Sequence, residues 1–357
     1  MSFYTLQKWH QDEIRNLIIL LCIGQFLSAQ PIKDYDLEMQ AKHAELKGYD
    51  PSFRVNYFEN IILKTFFKSN ATSFQYRTLD GAKLLDLVPA GEFLIGLSFD
   101  YKWVAFEASF SPGFLINNEV ENPNATAYNI NLNFFYSDRW RQEFRLTFNE
   151  GFLNRSSNEG INTFDEPTFD NTTLLIIQGS TFFITNRNYS YRAHYAQTER
   201  QLKSAGSFIP RIRYTYSEVD PNLEEESEFQ TLQFSSIDIL GQIGYLYTFV
   251  TKQTWFATIG LHAGAGYNNV TYKVENSKNQ IFDSFVYTFE PQLAAGYNNY
   301  RWFFGASGNW RNFNNANEGA GQFSRDQTYF EIHVGYRLND NKSMRKFFGW
   351  FEDHLGF

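Results

Sequence analysis

The sequence predicts an all-β fold, a transmembrane antiparallel up-and-down β-barrel of about twelve strands (ten to fourteen), followed by a short C-terminal amphipathic helix. Three observations support this prediction. Aromatic residues make up 19% of the 357 residues, yet the mean hydropathy is −0.42. Apolar and polar residues alternate with a period of two almost everywhere after Ile61. The polar positions carry charges of both signs, which a dry core could hold only at a large desolvation cost.

The N-terminal residues predict secretion. The apolar run Leu17–Leu27 ends in small residues and is about ten residues long, which is too short for a membrane-spanning helix. We therefore expect a signal peptide that is removed after about Ala29, together with Cys22, the one cysteine of the chain. The predicted domains are residues 1–29, the signal peptide; 30–58, a periplasmic lead-in with one short helical pattern; 59–339, the barrel; and 340–357, a tail.

The predicted strands share one pattern, in which apolar residues occupy every second position and polar residues lie between them. Tyr128, Ile130 and Leu132, for example, alternate with asparagines. A single barrel strand of about ten residues gives a weak signal, but its repetition along the chain gives a strong one. The clearest cases are residues 93–101, 106–110, 128–134, 143–149, 237–248, 255–264, 287–293, 302–311 and 330–338.

Tight turns and long polar loops largely alternate between these strands, as expected when short periplasmic turns alternate with longer outer loops. Aromatic residues cluster beside the tight turns, where they predict a girdle at one membrane interface. The predicted girdle consists of Tyr101, Trp103, Tyr136, Trp140, Trp255, Tyr297, Tyr300 and Trp302.

The stretch Tyr191–Tyr216 determines the predicted strand count. Both of its halves alternate, and counting them as two strands gives an odd number, whereas a barrel with both termini in the periplasm needs an even one. We therefore expect one interrupted strand, with a bulge or inward fold at Gln201–Ser207.

The polar face of the strands predicts a charged lumen. Two arrangements are compatible with it: a salt-bridged network that fills the barrel, and a wall of arginines opposite carboxylates that filters polar solutes. The residues predicted to face the lumen and form any constriction are Arg192, His194, Arg200, Lys203, Arg211, Arg213, Glu107, Glu143, Asp238, Glu290 and Glu331.

Signals for catalysis or metal binding are weak. His194, His262 and His333 fall on the polar face of three different strands, and no ligand spacing joins them. The acidic loop Glu218–Glu228 lacks the alternating ligands of a calcium loop, so a solvated loop is expected. The sequence predicts no catalytic residue, no metal and no cofactor. A net charge of −8 argues against a nucleic-acid partner, because the chain has no excess of basic residues to neutralise phosphates.

The C-terminal residues change period. In Ser343–Leu355, Met344, Phe347, Phe348 and Phe351 recur at helical spacing. The sequence predicts an amphipathic helix that lies at the inner headgroup layer or packs on the barrel rim.

Three stretches, NYSYRAHYAQTERQLKSAGSF, GLSFDYKWVAFEASF and GYLYTFVTKQTWFATIGL, resemble an uncharacterised family of Bacteroidetes secreted proteins, domain of unknown function 4421. The resemblance spans roughly Asn56 to Leu338 and implies a barrel in the bacterial outer membrane, in contact with its lipid and lipopolysaccharide. It implies no activity and no site residue.

The leading functional hypothesis is a small pore or transporter that passes a small polar solute through a charged lumen. One alternative is a closed structural or interaction barrel that acts through its loops and tail. A further alternative is a membrane-embedded hydrolase.

Overall fold

The structure is a computed structural model, and it describes residues 37–77, 84–116, 125–154, 169–222, 233–273, 278–315 and 323–355. The predicted signal peptide and most of the acidic loop 218–228 lie outside these residues. No helix in the described part of the chain is both long and apolar enough to span a membrane.

The elements follow one another with few long connections. The chain begins with helix α1 (Leu37–Lys47) and β1 (Arg54–Asn56). There follow β2 (Asn60–Arg77), β3 (Leu84–Pro89), β4 (Phe93–Tyr101), β5 (Val104–Phe110), the 3-10 turn Gly113–Leu115, β6 (Thr126–Phe135), β7 (Trp140–Asn154) and β8 (Phe169–Phe183). The second half contains β9 (Glu199–Gln201), β10 (Ala205–Phe208), β11 (Arg211–Asp220), β12 (Phe234–Thr251), β13 (Trp255–Tyr272), β14 (Gln280–Asn298), β15 (Trp302–Asn315), β16 (Phe323–Asn339) and helix α2 (Lys342–Leu355).

Twelve antiparallel strands of the described residues form a closed barrel. Each strand pairs with its neighbour along the chain, in the order β2, β4, β5, β6, β7, β8, β11, β12, β13, β14, β15, β16. The last strand closes the barrel on the first, with Phe323 opposite Tyr76 and Asn339 opposite Asn60. Closure pairs the backbone of every strand and leaves no free sheet edge.

The barrel presents its apolar residues outward. Along β12, Ile237, Ile239 and Ile243 are 50 to 61% exposed, whereas Asp238 and Gln242 between them are buried. A water-soluble protein would bury the isoleucines, so the outer face fits lipid. The predicted transmembrane barrel of about twelve strands is therefore confirmed.

One strand is interrupted, but not where the sequence predicts. β10 and β11 pair with β12 in the same register, with Phe208 opposite Tyr245 and Arg211 opposite Gln242. Together they form one barrel strand, with a non-repetitive link only at residues 209 and 210. The prediction that Tyr191–Arg200 forms the first half of this strand is wrong, because most of these residues lie in turns and only Glu199–Gln201 is extended.

Helix α2 packs on the rim of the barrel. Phe348 contacts the rings of Tyr101 and Trp103, with centroids 4.8 and 5.6 Å apart, and Glu352 pairs with Lys102 at 2.7 Å. Tyr101 is therefore fully buried rather than part of a lipid-facing girdle, and helix α2 covers Trp103. The other predicted girdle aromatics are exposed or half-buried at the same end of the barrel: Tyr136, Trp140, Trp255, Tyr297, Tyr300 and Trp302.

One polar side chain on the outer face is satisfied locally. Gln142 points outward on β7, but it is buried because Tyr214 lies over it. The Gln142 amide donates to the Tyr214 hydroxyl at 2.8 Å and accepts from Thr181 at 2.6 Å. Tyr214 reaches it by crossing Gly179, where a Cβ would overlap the tyrosine ring. Glycine is required at position 179 for this close approach.

Replacing Tyr214 with phenylalanine leaves one N–H of the Gln142 amide without an acceptor at the lipid face, while the amide still donates to the carbonyl of Glu143 at 3.1 Å. We expect Y214F to lower the free energy of unfolding by about 1–3 kcal/mol, measured by denaturant titration in lipid vesicles. Y287F is the matched control, because Tyr287 lies on the same face and is 50% exposed. If Y214F and Y287F have equal free energies of unfolding, the Tyr214 hydroxyl does not stabilise the barrel through Gln142.

Candidate functional site

Two segments of chain occupy the end of the barrel where the tight turns lie. We call them together the plug, residues 38–57 and 184–204. They are joined by a two-stranded sheet in which β1 pairs with β9, with Val55 opposite Arg200. Gln201 also donates to the carbonyl of Phe53 at 3.0 Å. The plug is thus one unit made from two distant parts of the sequence.

The N-terminal part of the plug is fixed at both ends of helix α1. Gln40 exchanges two hydrogen bonds with the backbone of Asn56, at 2.7 and 3.0 Å. The helix ends at Gly48, whose φ of 71° is the left-handed conformation typical of a helix C-cap. Arg187, from the second segment, donates to the carbonyl of Lys47 at 3.2 Å. The guanidinium also lies where a Cβ at position 48 would stand, so a larger residue would have to displace the end of the Arg187 side chain.

A buried ion-pair group joins the plug to a turn of the barrel. Arg54 is 2% exposed and pairs with Glu199 of the plug at 3.1 Å and with Asp138 in the β6–β7 turn at 2.5 Å. Its guanidinium also stacks on Tyr49, 3.8 Å from the ring centroid. Two carboxylates and an aromatic face offset the cost of burying the one cation.

A second anchor joins the plug to the opposite side of the same end of the barrel. Arg337 on β16 donates from Nη2 to the carbonyl of Gln197 at 2.7 Å and to Asn298 at 2.9 Å. Asn298 in turn donates to the Gln197 side chain at 2.7 Å. Gln197 has a φ of 56°, which is strained for a non-glycine residue. Arg337 and Asn298 thus hold a backbone conformation that would otherwise cost free energy.

The plug crosses the lumen. Tyr195 accepts hydrogen bonds from Asn131 and Asn133 on β6, and Arg141 lies 3.7 Å from its ring centroid. Asn298 is on β14, and β6 and β14 are six strands apart in the barrel of twelve. Contacts on opposite walls show that the plug spans this end of the lumen in the structure.

Below the plug, the lumen contains buried ion pairs. Lys64 bridges Glu107 and Glu331 at 2.7 and 3.1 Å. The remaining pairs are Arg141 and Arg145 with Glu143, at 3.3 and 2.8 Å; Arg211, Arg213 and Arg311 with Glu290, at 2.7, 3.1 and 2.9 Å; and Arg325 with Asp238, at 2.8 Å. Some of these pairs lie within one strand, as for Glu143 with Arg141 and Arg145 on β7, and others reach across several strands, as for Arg325 on β16 with Asp238 on β12. Opposite charges therefore neutralise one another across the interior.

The opposite end of the lumen is apolar. Inward-facing side chains near the long loops form one buried cluster, which contains Phe74, Leu87, Phe152, Phe169, Leu174, Ile176, Val219, Phe234, Val270 and Tyr272. Along its length the lumen therefore has three layers: the plug, the charged middle and an apolar outer cluster. A cavity of about 100 Å³ lies in the charged layer, and Tyr191, His194 and Tyr195 of the plug contribute to its wall.

The residues predicted to face the lumen fall into two groups. Arg211, Arg213 and Glu290 meet in one cluster, whereas Glu107, Glu143, Asp238 and Glu331 pair with other cations. Arg192, His194, Arg200 and Lys203 belong to the plug and not to a barrel strand, because their segment folds across the mouth. Lys203 is exposed and donates to Ser52 at 2.9 Å, so its assignment to the lumen is wrong.

Several cations that hold the site together are absent from the predicted set. They are Lys64, Arg141, Arg145, Arg311, Arg325 and Arg337. Alternation places Arg145, Arg311 and Arg337 on the polar face of their strands. The sequence pattern therefore indicates that these three residues face the lumen. The pairings depend on strand tilt and on side-chain reach across several strands, which alternation does not encode.

The three histidines do not form a site. His194 is in the plug, His262 on β13 and His333 on β16, where His333 lies 3.2 Å from Glu331. In the described residues, no group of three or more His, Cys, Asp or Glu side chains has an arrangement that could hold a metal ion.

Residues 48–338 match the model of a protein family described as Domain of unknown function (DUF4421). The fold defines the protein as a transmembrane β-barrel, and the family match covers most of the chain. The protein belongs to the DUF4421 family. No curated protein matches the chain.

Solved structures resemble the chain at low identity. The outer membrane protease OmpT from Escherichia coli is 9% identical with a TM-score of 0.34, over 79% of this chain and 98% of that one. An outer membrane channel from Pseudomonas putida F1 is 8% identical with a TM-score of 0.31, over 80% and 98%. The translocator domain of the autotransporter NalP from Neisseria meningitidis is 12% identical with a TM-score of 0.30, over 84% and 95%. A protease, a channel and a translocator differ in activity, so these similarities assign none to this chain.

Docking of helix α1 is expected to depend on pH. His43 stacks on Phe58 and contacts the Tyr49 hydroxyl at 2.9 Å. Burial lowers the pKa of His43 below 6.5; Asp138 and Glu199 oppose this shift, and Lys47 and Arg54 add to it. Because the docked state disfavours the protonated ring, docking is strongest above pH 6.5 and weakens as the pH falls below it.

We expect limited proteolysis of residues 38–47 to be faster at about pH 5.5 than at about pH 7.5, since the undocked histidine binds a proton there. The variant H43Q removes the titrating group and should show equal rates at the two values. If the wild-type protein is cleaved at the same rate at both pH values, the assignment of the pH dependence to His43 is contradicted.

Proposed function

We propose that this protein is an outer-membrane barrel that passes small polar solutes when its periplasmic plug moves. The observation that carries the proposal is the combination of a polar middle lumen with a plug held to the wall largely by polar contacts. Both chain termini of the described barrel lie at the plug end, which is the periplasmic end in barrels of this topology.

The contacts of the plug are of a kind that water can replace. A net intramolecular hydrogen bond contributes only about 0.5–1.5 kcal/mol, because the separated groups bind water instead. Arg337, Asn298 and Asn133 would be hydrated by an opened lumen rather than left in an apolar environment. A small apolar cluster opposes movement, since Tyr189 and Tyr191 pack with Phe182 and Leu246 of the wall. This balance supports a plug that is closed at rest and displaceable.

A second candidate function has its own supporting observation. The apolar cluster at the opposite end of the lumen excludes water and ions as long as its side chains stay packed. A barrel closed at both ends would act as a structural or interaction protein through its loops and through helix α2, whose Phe347 and Trp350 remain exposed. The two candidates differ in one measurable property, the ion conductance of the barrel.

Loosening and locking the plug test the proposal directly. We expect R337Q to raise the open probability of single channels in a planar bilayer several-fold, because it removes the hydrogen bonds that hold Gln197. The pair Q197C/N298C should abolish these openings when oxidised and restore them when reduced, because the two side chains are in contact.

The control is R325Q, because Arg325 pairs with Asp238 in the lumen and is not bonded to the plug. Its open probability should stay near that of the wild type, although its conductance can change. Correctly inserted R337Q barrels that remain silent would contradict gated passage and favour the closed barrel.

A further inference from the structure

Helix α2 has an aromatic face that the barrel does not cover. Phe347 is 60% exposed and Trp350 is 55% exposed, whereas Phe348 is buried. The ring of Phe351 joins the two exposed rings, with its centroid 5.2 Å from that of Phe347 and 4.9 Å from that of Trp350. We call Phe347, Trp350 and Phe351 the aromatic patch. Contiguous exposed apolar surface of this kind marks a site of contact with a membrane or with another protein.

The three sides of helix α2 have different surroundings. At 3.6 residues per turn, Phe348 and Glu352 point about 100–140° away from Phe347. This side contacts the barrel, because Phe348 packs on Tyr101 and Glu352 pairs with Lys102 at 2.7 Å. The opposite side, about 100–140° from Phe347 in the other sense, is polar. Its charged residues are all exposed: Lys342, Lys346 and Asp353.

The barrel surface under helix α2 is the outer, lipid-facing one. Tyr101 shares the outward face of β4 with Leu97, which is 54% exposed. Tyr101 is buried only because Phe348 lies against it. Trp103, in the next turn, stacks on Phe134, which belongs to the outward face of β6. Helix α2 therefore occupies space at the plug end of the barrel that lipid would otherwise fill.

The aromatic residues beside the tight turns indicate the depth of the helix. Tryptophan and tyrosine side chains concentrate at the headgroup level of a membrane. Phe351 lies 5.9 Å from Trp103, which is itself in one of these turns. The exposed aromatic residues at the same end of the barrel are Tyr136, Trp140, Trp255 and Trp302. The aromatic patch therefore lies near the level of the headgroups.

Lipid is the occupant that these observations favour for the aromatic patch. The patch continues the apolar outer surface of β4, so the two surfaces meet the same solvent. Helices that lie in a membrane interface have the same division, with Trp and Phe on the buried face and Lys on the polar face. A soluble partner would have to displace lipid to reach the patch. The polar side of the helix, by contrast, is placed to remain in water.

We propose that helix α2 is an interfacial anchor, which inserts Phe347 and Trp350 into the phospholipid leaflet at the plug end of the barrel. Phe348 and Glu352 hold the helix on the outer wall, and Lys342 and Lys346 stay at the aqueous surface. This arrangement is independent of solute passage, because it holds for an open and for a closed barrel.

The test measures the surroundings of nitroxide spin labels on the mature barrel, refolded into phosphatidylcholine vesicles. The chain without its predicted signal peptide lacks Cys22, the one cysteine, so F347C and W350C each carry a single label. Oxygen concentrates among the acyl chains, whereas a water-soluble nickel chelate does not enter them. We expect the ratio of oxygen to nickel collisions to be several-fold higher at F347C and W350C than at D353C.

Two reference positions make the comparison internal. Asp353 is the matched control, because it is exposed on the polar side of the same helix. L97C supplies the value for a label in the apolar band of an inserted barrel. Labels at both 347 and 350 guard against a local disturbance by either substitution.

Two results would overturn the proposal. If the labels at F347C and W350C collide with nickel as often as the label at D353C, the aromatic patch lies in water and is free for a soluble partner. If both labels are shielded from oxygen and nickel alike, the patch is covered by protein, either by this chain or by a second copy.

Discussion

The need to neutralise charge inside the barrel is the constraint on which the rest of the structure depends. Closing twelve strands into a barrel satisfies the hydrogen bonds of the backbone in lipid, but it points every second side chain towards a narrow interior. Charged residues there are costly unless each finds a partner. Lys64 between Glu107 and Glu331, and Arg54 between Glu199 and Asp138, show how the chain meets this requirement by bridging.

The plug follows from the same constraint. Arg337 is fully buried on β16, and no carboxylate of the described residues forms a salt bridge with it. Its charge is stabilised instead by the carbonyl of Gln197, by the side chain of Asn298 and by the face of Tyr57, 3.9 Å from the ring centroid. The barrel wall and the plug are therefore complementary: removing the plug would expose Arg337 to water, where hydration would replace these contacts. Because water can replace the contacts of Arg337, the plug can be displaced without leaving this charge unsolvated.

The sequence predicts the architecture well because alternation reports directly which face of a strand meets lipid. Ile237 and Asp238 differ in exposure as their positions in the pattern require, and the helical spacing after Ser343 matches helix α2. Both signals are local, so no knowledge of the tertiary fold is needed to use them.

The sequence predicts the site less well because its contacts are not local. Tyr191 and Tyr195 alternate with polar residues as a barrel strand would, but in the structure they pack beside Arg141, with the Tyr191 centroid 4.8 Å from its guanidinium. Tyr101 has the pattern of a girdle residue but is covered by helix α2, some 240 positions later in the chain. Tertiary packing decides both cases against the local pattern.

Hydrogen–deuterium exchange in lipid nanodiscs tests the central claim, a docked plug across the lumen, most directly. Amides of residues 186–204, although mostly outside regular strands, should be protected nearly as strongly as those of the barrel strands, and R337Q should reduce protection in both segments of the plug but not in the barrel strands. The exposed turn at residues 252–254 gives the reference for unprotected amides. If residues 186–204 of the wild type exchange as fast as this turn, a docked plug is contradicted.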